Sequence, residues 1–427
     1  MIRVHQFTCS LPRPEADALN RESGRIYSQV MVTHYRAYRG SGVWLSQYAA
    51  MKLADFYDTQ AERSRLLHAH SVDAAQEGFY KACKTARACK QVGLKNAHHP
   101  YKRKCYRTTI WKKTGIRVEA GLLLLARARG LEPVRVNLPA HLAGLAPKVF
   151  VEMRLVWDKA SRHYTWHMVV DDGQPNAEPP GQQIAAGDLG EIHPITLTDG
   201  EETLVVSARA LRAVKQRTHK RLAEIQRLQS AKVKPSRQWS RLQRRKKRFL
   251  AQQKRRTRDI EHTVSRTAVN WAAARKVGTL ALGDVRDVAE GKRLNAKSQQ
   301  KVSNWSHGQL RQQITYKAEA AGLVVERVDE AYTSQTCPQC GQRAKPKGRN
   351  YICPACGFAA HRDAVGAVNI LSRHKYGAVG RIMPPADTKY RRPFCCRKTG
   401  RRSRLDTAEL AGAKGCGKPK SSEAAGL

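Results

Sequence analysis

Acidic side chains are what this chain most lacks. Asp and Glu number 35 against 78 Lys and Arg, a formal charge of +43. So large a surplus exceeds what a soluble surface needs, and its spread along the chain excludes a single localisation signal as the cause. A polyanion is expected as partner, much of it RNA. Long apolar runs are missing too: the longest, around Ala120 to Ala126, is far below the ~20 residues of a bilayer span. No secretory leader pattern opens the chain, so a bacterial cytoplasmic or nucleoid protein without a membrane partner is expected. The 11 cysteines fit a reducing compartment better than a disulfide framework. With 427 residues, 41% of them hydrophobic, there is room for two or three domains with cores of their own.

What is present is concentrated between Val328 and Leu371. Two Cys-Pro-x-Cys-Gly turns, Cys337/Cys340 and Cys353/Cys356, are separated by twelve residues, and Asp363 follows seven residues after the second. Each turn aims two sulfurs at one tetrahedral centre, and Gly341 and Gly357 permit the positive φ of a knuckle. Four thiolates leave no open position, so a structural zinc in a small ribbon is expected, residues 332–357.

The rest of the chain is read in order. MIRVHQFTCSL alternates like a strand and stops at Pro12. From Glu15 to Lys90 the pattern is helical, with an apolar stripe at Leu45, Tyr48, Met51, Leu53 and Phe56. Short alternating runs at Ile116–Val118, Val134–Leu138, Val149–Trp157 and Tyr164–Val170 predict, with the first strand, a β-barrel of residues 1–12 and 100–172 around a helical insert, 13–99. DDGQPNAEPPGQQ marks a boundary. A strand then ends in Asp188, and a second covers Pro194–Thr198.

Two helices are expected between Ala208 and Lys276, split by SAKVKPS. Their stripes are Leu211, Val214, Leu222, Ile225 and Leu228, then Ile260, Thr263, Val264, Thr267, Ala268 and Trp271. Between the stripes, the segment Arg241 to Arg258 holds ten basic residues and no acid: Arg241, Arg244, Arg245, Lys246, Lys247, Arg248, Lys254, Arg255, Arg256 and Arg258. A charge run is usually a solvated face, but this density favours phosphate contact. Beyond a helix at Ser306–Ala321, the strand GLVVERVDE runs into Glu330, and a basic tail, 381–427, is expected to be disordered or RNA-associated.

The motifs TSQTCPQCG, CPACG and HRDAVGAVNIL resemble the zinc-ribbon end of the TnpB (OrfB) family, transposon-encoded relatives of compact type V CRISPR effector nucleases. The likeness extends with weaker motifs from about Gly187 to Leu371, and to the N-terminal half only in general layout. It implies a RuvC-like nuclease domain of RNase H fold, residues 182–331 and 358–380, interrupted by the ribbon. In that layout Asp188, in GDLG, matches the first catalytic carboxylate and Asp363 the last. The barrel becomes wedge-like and the insert a recognition lobe on a guide–target duplex. The implied fold class is thus α+β and multidomain.

One departure stands out. The family's second carboxylate is a Glu at the end of an apolar strand, and in TLALGDVRDV that position is Gly283. Asp284 points to the opposite face of the sheet. In an RNase H-like order 3-2-1-4-5, the strand leading to Glu330 lies beside the one ending at Gly283, about 4.8 Å away, a gap a Glu side chain largely spans. Glu330 is therefore the expected replacement, with Asp284 or Glu290 as alternatives and an inactive site as the third possibility.

Phosphodiester hydrolysis by two metals needs three such carboxylates. Asp188 is expected to bridge, with Glu330 and Asp363 each holding one side. Hard oxygens suit Mg²⁺ or Mn²⁺, while the thiolates keep Zn²⁺. His361 and Arg362 are placed either at the scissile phosphate or in packing. The resemblance implies a guide RNA, a target double-stranded DNA read beside a short motif, and one protein copy per RNA. Two alternatives stay open: a guided binder without cleavage, and an unguided zinc-ribbon DNA-binding protein.

Overall fold

The structure, a computed structural model, describes residues 2–392 apart from 62–64, 95, 120, 159–160, 172, 174–176, 286–294, 296–298, 301, 303–304, 347 and 387. Glu290 and the tail beyond 392, with Cys395, Cys396 and Cys416, lie outside the described residues. Among the described residues no helix is long and apolar enough to cross a membrane.

The N-terminal half begins with β1 (Ile2–Thr8) and the helices α1 (Arg13–Ser41), α2 (Gln47–Gln60) and α3 (Ala69–Gln91). It continues through β2 (Thr109–Lys112), β3 (Ile116–Glu119), β4 (Leu122–Leu125), β5 (Val134–Asn137), the single turn α4 (Ala140–Ala143), β6 (Phe150–Asp158) and β7 (His163–Asp171). Where a barrel is expected, the strands pair as two sheets, β1-β7-β6-β2 and β3-β4-β5. They share one core: Leu123 and Leu125 of β4, Val134 and Val136 of β5, Trp111 and Trp166 of the larger sheet, and Leu19 and Ile26 of α1. Period-two alternation puts Arg135 and Asn137 outside that core. Buried Asn20 ties α1 to the paired strands β2 and β6, donating to Leu155 O (3.1 Å) and accepting from Thr109 N (2.9 Å).

The apolar stripe expected along the insert faces inward only in part: Leu45 packs against the helical core, but the aromatic members do not. Tyr48 is 68% exposed and Phe56 55%. Instead α2 turns its small residues, Ala50 and Ala54, and Asp58 inward. Asp58 there accepts two hydrogen bonds from Arg25 of α1, at 2.9 Å each. Small side chains allow a close helix approach, so the aromatic residues are left on the outside.

The second half is organised on a six-stranded sheet. Its elements are β8 (Gln183–Asp188), β9 (Ile195–Thr198), β10 (Thr203–Val206), α5 (Arg209–Ser230), α6 (Arg237–Ala274), β11 (Val277–Asp284), α7 (His307–Ala320) and β12 (Val324–Asp329). Then follow β13 (Asn350–Ile352), β14 (Ala359–His361), α8 (Arg362–Tyr376) and β15 (Thr388–Arg391). The sheet order is β12-β11-β8-β9-β10-β15. β8, β11 and β12 are parallel, β9 is antiparallel to both neighbours, and β15 runs parallel to β10. Counted in chain order, the first five strands thus lie 3-2-1-4-5.

Alternation sorts the two faces. Ala185, Leu280 and Leu282 pack with Ile260, Val264 and Ala268 of α6 and Ile314 of α7. Their neighbours Ala186, Ala281 and Val328 pack with Ile370 and Leu371 of α8. The stripe of α6 therefore lies where its spacing predicts. That of α5 is shorter: Leu211 and Ile225 are buried, but Leu228 is 40% exposed. There α5 has left the sheet and leans on α6 through polar contacts such as Gln229 to Gln243 (2.9 Å).

Candidate active site and metal centres

Asp188, Gly283 and Glu330 share the parity of Ala186, Ala281 and Val328, so all three project toward α8 from the C-terminal ends of adjacent strands. Glu330 lies one residue beyond β12, and its side chain returns over β11. A Cβ placed on Gly283 would come within 2.8 Å of Glu330 Oε2, 3.5 Å of Glu330 Cβ and 2.9 Å of Ile370 Cδ1. The volume a side chain at 283 would need is occupied by the Glu330 carboxylate. Asp284 takes the other face, where Arg311 of α7 donates to its Oδ1 at 2.9 Å. It is held in an ion pair on that face.

Asp363 opens α8 in its first turn, and Gly366 follows one turn on. A Cβ on Gly366 would meet Asp188 Oδ2 at 2.9 Å, so the helix can approach the carboxylate only with glycine at this position. Asp188 senses the other two acids. Burial, with the charges of Glu330 and Asp363, pushes Asp188 up from its ordinary 3.8 to about 8, against a partial pull from Arg362. Burial, with Asp284 and Asp329, pushes Glu330 from 4.5 to about 7. Burial also acts upward on Asp363, but the hydrogen bond from His193 and the charges of Arg349 and His361 outweigh it and hold this carboxyl below its ordinary range.

Two of those partners were not singled out in the sequence. His193 Nδ1 lies 2.8 Å from Asp363 Oδ2, and Arg349 Nη1 donates to the same oxygen at 2.9 Å. His193 sits in the turn between β8 and β9, and Arg349 stands just before β13. No periodicity or spacing marks either one; only the fold brings them to Asp363. His361, which the sequence placed at the phosphate or in packing, lies with its ring 5.4 Å from that of His193.

Hard cations fit this set: Glu330 Oε2 is buried without a hydrogen-bond partner, and an uncompensated carboxylate oxygen at that depth is costly unless a cation or proton meets it. Asp188, Glu330 and Asp363 would hold the ions.

The four cysteines meet as their spacing predicts. Cys337 Sγ lies 3.7 Å from Cys356 Sγ, and Cys340 Sγ 3.5 Å from Cys353 Sγ. Sulfurs on a tetrahedron with ~2.3 Å zinc bonds are about 3.8 Å apart, so the set is sized for zinc. Gly341 and Gly357 adopt φ of 75° and 71°. Each donates its N–H back to the first cysteine of its turn, to Cys337 O (2.9 Å) and Cys353 O (3.0 Å). Asn369 of α8 fastens the ribbon to the sheet, donating to Thr333 O (2.7 Å) and Thr336 O (2.8 Å). β14 hands directly into α8, so the ribbon also fixes where Asp363 begins.

Of the basic run, Arg241, Arg244, Arg245, Arg248, Arg255 and Arg256 line an open groove of about 1760 Å³ between α5 and α6. Arg217, Lys220 and Arg221 of α5 and Arg162 of the β6–β7 hairpin face the same space. Arg255 reaches Asp158 of that hairpin at 3.4 Å. Lys246, Lys247, Lys254 and Arg258 stand outside the groove on other faces of α6.

Comparison with known proteins agrees with this arrangement. Residues 167–289 match the OrfB_IS605 family, described as a probable transposase, and residues 307–370 match the Cas12f1-like TNB domain. The chain is 35% identical over 113 residues to the CRISPR-associated endodeoxyribonuclease Cas12f1 of Sulfoacidibacillus thermotolerans, covering 26% of this chain and 25% of that protein. It is 31% identical over 221 residues to the putative RNA-guided DNA endonuclease InsQ of Escherichia coli K12, covering 48% and 53%. A TnpB-like protein of Methanocaldococcus jannaschii shares 28% over 127 residues, 29% of this chain and 45% of its own. These alignments thus span about a quarter to about half of each relative. In fold, the chain resembles the protein in a cryo-EM structure of a Cas12f1–sgRNA–target DNA complex, with a TM-score of 0.54 over 84% of this chain and 83% of that one at 12% identity. Through its two matched segments the chain is related to the TnpB (OrfB) proteins and the compact type V CRISPR effectors.

Proposed function

We propose that this protein is an RNA-guided DNA endonuclease with a RuvC-like centre whose second carboxylate has moved from position 283 to Glu330. The observation that carries the reading is the shared volume of Gly283 and Glu330 on the face that Asp188 and Asp363 also meet. The 3-2-1-4-5 order is that of an RNase H-like sheet, and the N-terminal sheets with their helical insert correspond to a wedge-like barrel and recognition lobe. On this reading the domain limits are those drawn from the sequence, 1–12 with 100–172, 13–99, 182–331 with 358–380, and 332–357, with one correction: the expected tail, 381–427, gives Thr388–Arg391 to the nuclease sheet, because β15 pairs with β10. Relatives named as an endodeoxyribonuclease and as an RNA-guided DNA endonuclease support the activity, and the sgRNA and target DNA in the similar complex support the partners.

Mg²⁺ or Mn²⁺, when bound, would activate the attacking water and neutralise the leaving 3′ oxygen. The chain's own groups prepare for this. Asp188 and Glu330, raised by burial, hold protons near neutrality and release them when cations arrive. His193 and Arg349 fix the orientation of Asp363. The basic groove between α5 and α6 receives phosphate backbone, while base pairing with the guide reads sequence. Zn²⁺ in the ribbon is structural, and one protein copy per RNA is taken as the working stoichiometry.

The test is cleavage of a plasmid library with Mg²⁺ by protein co-expressed with its flanking genomic DNA, set against Glu330→Ala and Asp363→Ala. Cuts beside a short shared motif that vanish in both variants support the reading. Tight guided binding without cuts by the wild type would sink the nuclease and leave a guided binder; recovery without a defined RNA would leave an unguided DNA-binding protein.

A further inference from the structure

α5 borders three hollows at once, and Gln216 lines all of them. They are the basic groove, a pocket reaching His193 and His361, and a cavity of about 420 Å³ bounded by Gly190 and Glu191, just past Asp188. The groove and this last cavity share the wall that Gln216 and Lys220 of α5 form. The other walls of the cavity include Leu211, Trp305 and Leu310. The rings of Trp305 and His307 lie 5.0 Å apart, inclined at 58°.

The polar part is at the base. Glu261 of α6 is 1% exposed, yet its Oε2 has no hydrogen-bond partner. Its other oxygen accepts from Ser306, whose hydroxyl in turn accepts from Lys215 Nζ at 3.0 Å. An acceptor left open in so apolar a place costs roughly 1–3 kcal/mol unless something donates to it.

We propose that this cavity receives one unstacked nucleobase of the strand that passes the carboxylates, with Glu261 Oε2 accepting from its exocyclic amino group. The proposal rests on the nuclease reading for the identity of the strand. Trp305, His307 and the aliphatic walls suit a flat heterocycle, and the unpartnered Glu261 Oε2 suits one that carries an N–H donor. Arg212, Lys215 and Lys220 on the same walls suit the phosphates flanking that base, and an aliphatic ligand would leave the oxygen unpaired. Adenine, cytosine and guanine each offer an amino group at an open edge. In thymine the only donor lies between two carbonyl oxygens, which a carboxylate repels, so thymine is the disfavoured base.

The experiment uses the full chain with its RNA, without divalent metal, and target strands carrying one 2-aminopurine at successive positions around the cut. That base bears an amino group, and its fluorescence reports unstacking. The expected result is a severalfold change at one position, lost in Glu261→Gln and Trp305→Phe, while anisotropy of an end label shows that the target is still bound at saturating protein. Thymine at that position should release the strand severalfold faster than cytosine does. A uniform response along the strand, or a local one that both variants retain, overturns the proposal and leaves an ordered water as the partner of Glu261. Repeating the series with unguided single-stranded oligonucleotides at low salt separates the two failures. A local signal there keeps base capture alive if guided binding is absent, and its absence from both series ends it.

Discussion

The space that a Cβ on Gly283 would need, 2.8 Å from Glu330 Oε2, belongs to Glu330, so only one of the two positions can carry a side chain there. The carboxylate should therefore be transferable between strands. Glu330→Ala is expected to lower magnesium-dependent cleavage at least ~100-fold. Gly283→Glu alone is expected to do the same and to destabilise by roughly 1–3 kcal/mol through overpacking. The double variant should recover stability and a measurable part of the cleavage rate. Recovery of neither would mean that the two residues do not share a role.

Asp284 gives the matching control. Because it pairs with Arg311 on the other face, Asp284→Asn should leave the cleavage rate within about threefold, while thermal melting shows a loss of roughly 1–3 kcal/mol. A collapse of cleavage at unchanged stability would return Asp284 to the reacting set.

Stability should depend on pH in a direction opposite to that of most acid-rich sites. Asp188 and Glu330 have raised values, about 8 and about 7, against 3.8 and 4.5 when unfolded. The folded state thus holds more protons between these limits, and stability falls as pH rises from about 4 to about 8. The lowered Asp363 acts the other way, but only at pH below its ordinary 3.8. Metal-free protein should melt at a lower temperature at pH 8 than at pH 6, and millimolar Mg²⁺ should largely remove the difference. A Glu330→Gln variant should flatten the metal-free curve.

Zinc should be needed for Asp363 as well as for the ribbon. Arg362 N donates to Arg349 O at 2.8 Å, so the ribbon hairpin and the start of α8 are joined next to the carboxylate. Cys353→Ser is expected to reduce bound zinc from one per chain toward none and to lower the melting temperature by about 5 °C or more. Its magnesium affinity should weaken although no magnesium ligand was changed. Unaltered magnesium affinity in zinc-free protein would uncouple the two centres.

Replacing Arg241, Arg244 and Arg245 together by Ala should weaken nucleic-acid binding to a similar extent for all sequences. If each neutralises a phosphate, the slope of log K against log salt should shrink by about 2–3 units. The same triple change at Lys247, Lys254 and Arg258, which stand outside the groove, should alter the slope by less than one unit.

Legibility in the sequence followed locality. The four-cysteine cluster was readable because its members repeat at short spacing, and the closeness of Glu330 to Gly283 because their strands are neighbours in the sheet. The long helices α5 and α6 were readable from their stripes, that of α5 only in part. The α2 stripe misled because Tyr48 and Phe56 are apolar at helical spacing yet solvent-facing; with Ala50 and Ala54 available, close packing chose the small side chains. β2, β4, β10 and β15 were not legible, although β3, β5 and β9, which were, have the same length of four residues; β4, for one, is four leucines and carries no alternation. His193 and Arg349 were invisible because their role is set by a carboxylate 170 and 14 residues away in the chain.

Arg373 of α8 donates to Asp329 O (2.6 Å), Asp329 Oδ2 (2.9 Å) and Ala331 O (3.0 Å), gripping the residues on both sides of Glu330. An inner strand would be immobilised by ladders on two flanks, whereas β12 is the outermost strand and has a ladder on one. Relocating an acid to the rim thus transfers its alignment from the sheet's own weave to a guanidinium reaching over from a helix. Such an address is easy to acquire, since one substitution on a boundary strand disturbs few neighbours. It is equally easy to blur: the aim of this one acid then rests on a long side chain from the helix and on the turn where Thr333 donates twice to the Glu330 carbonyl.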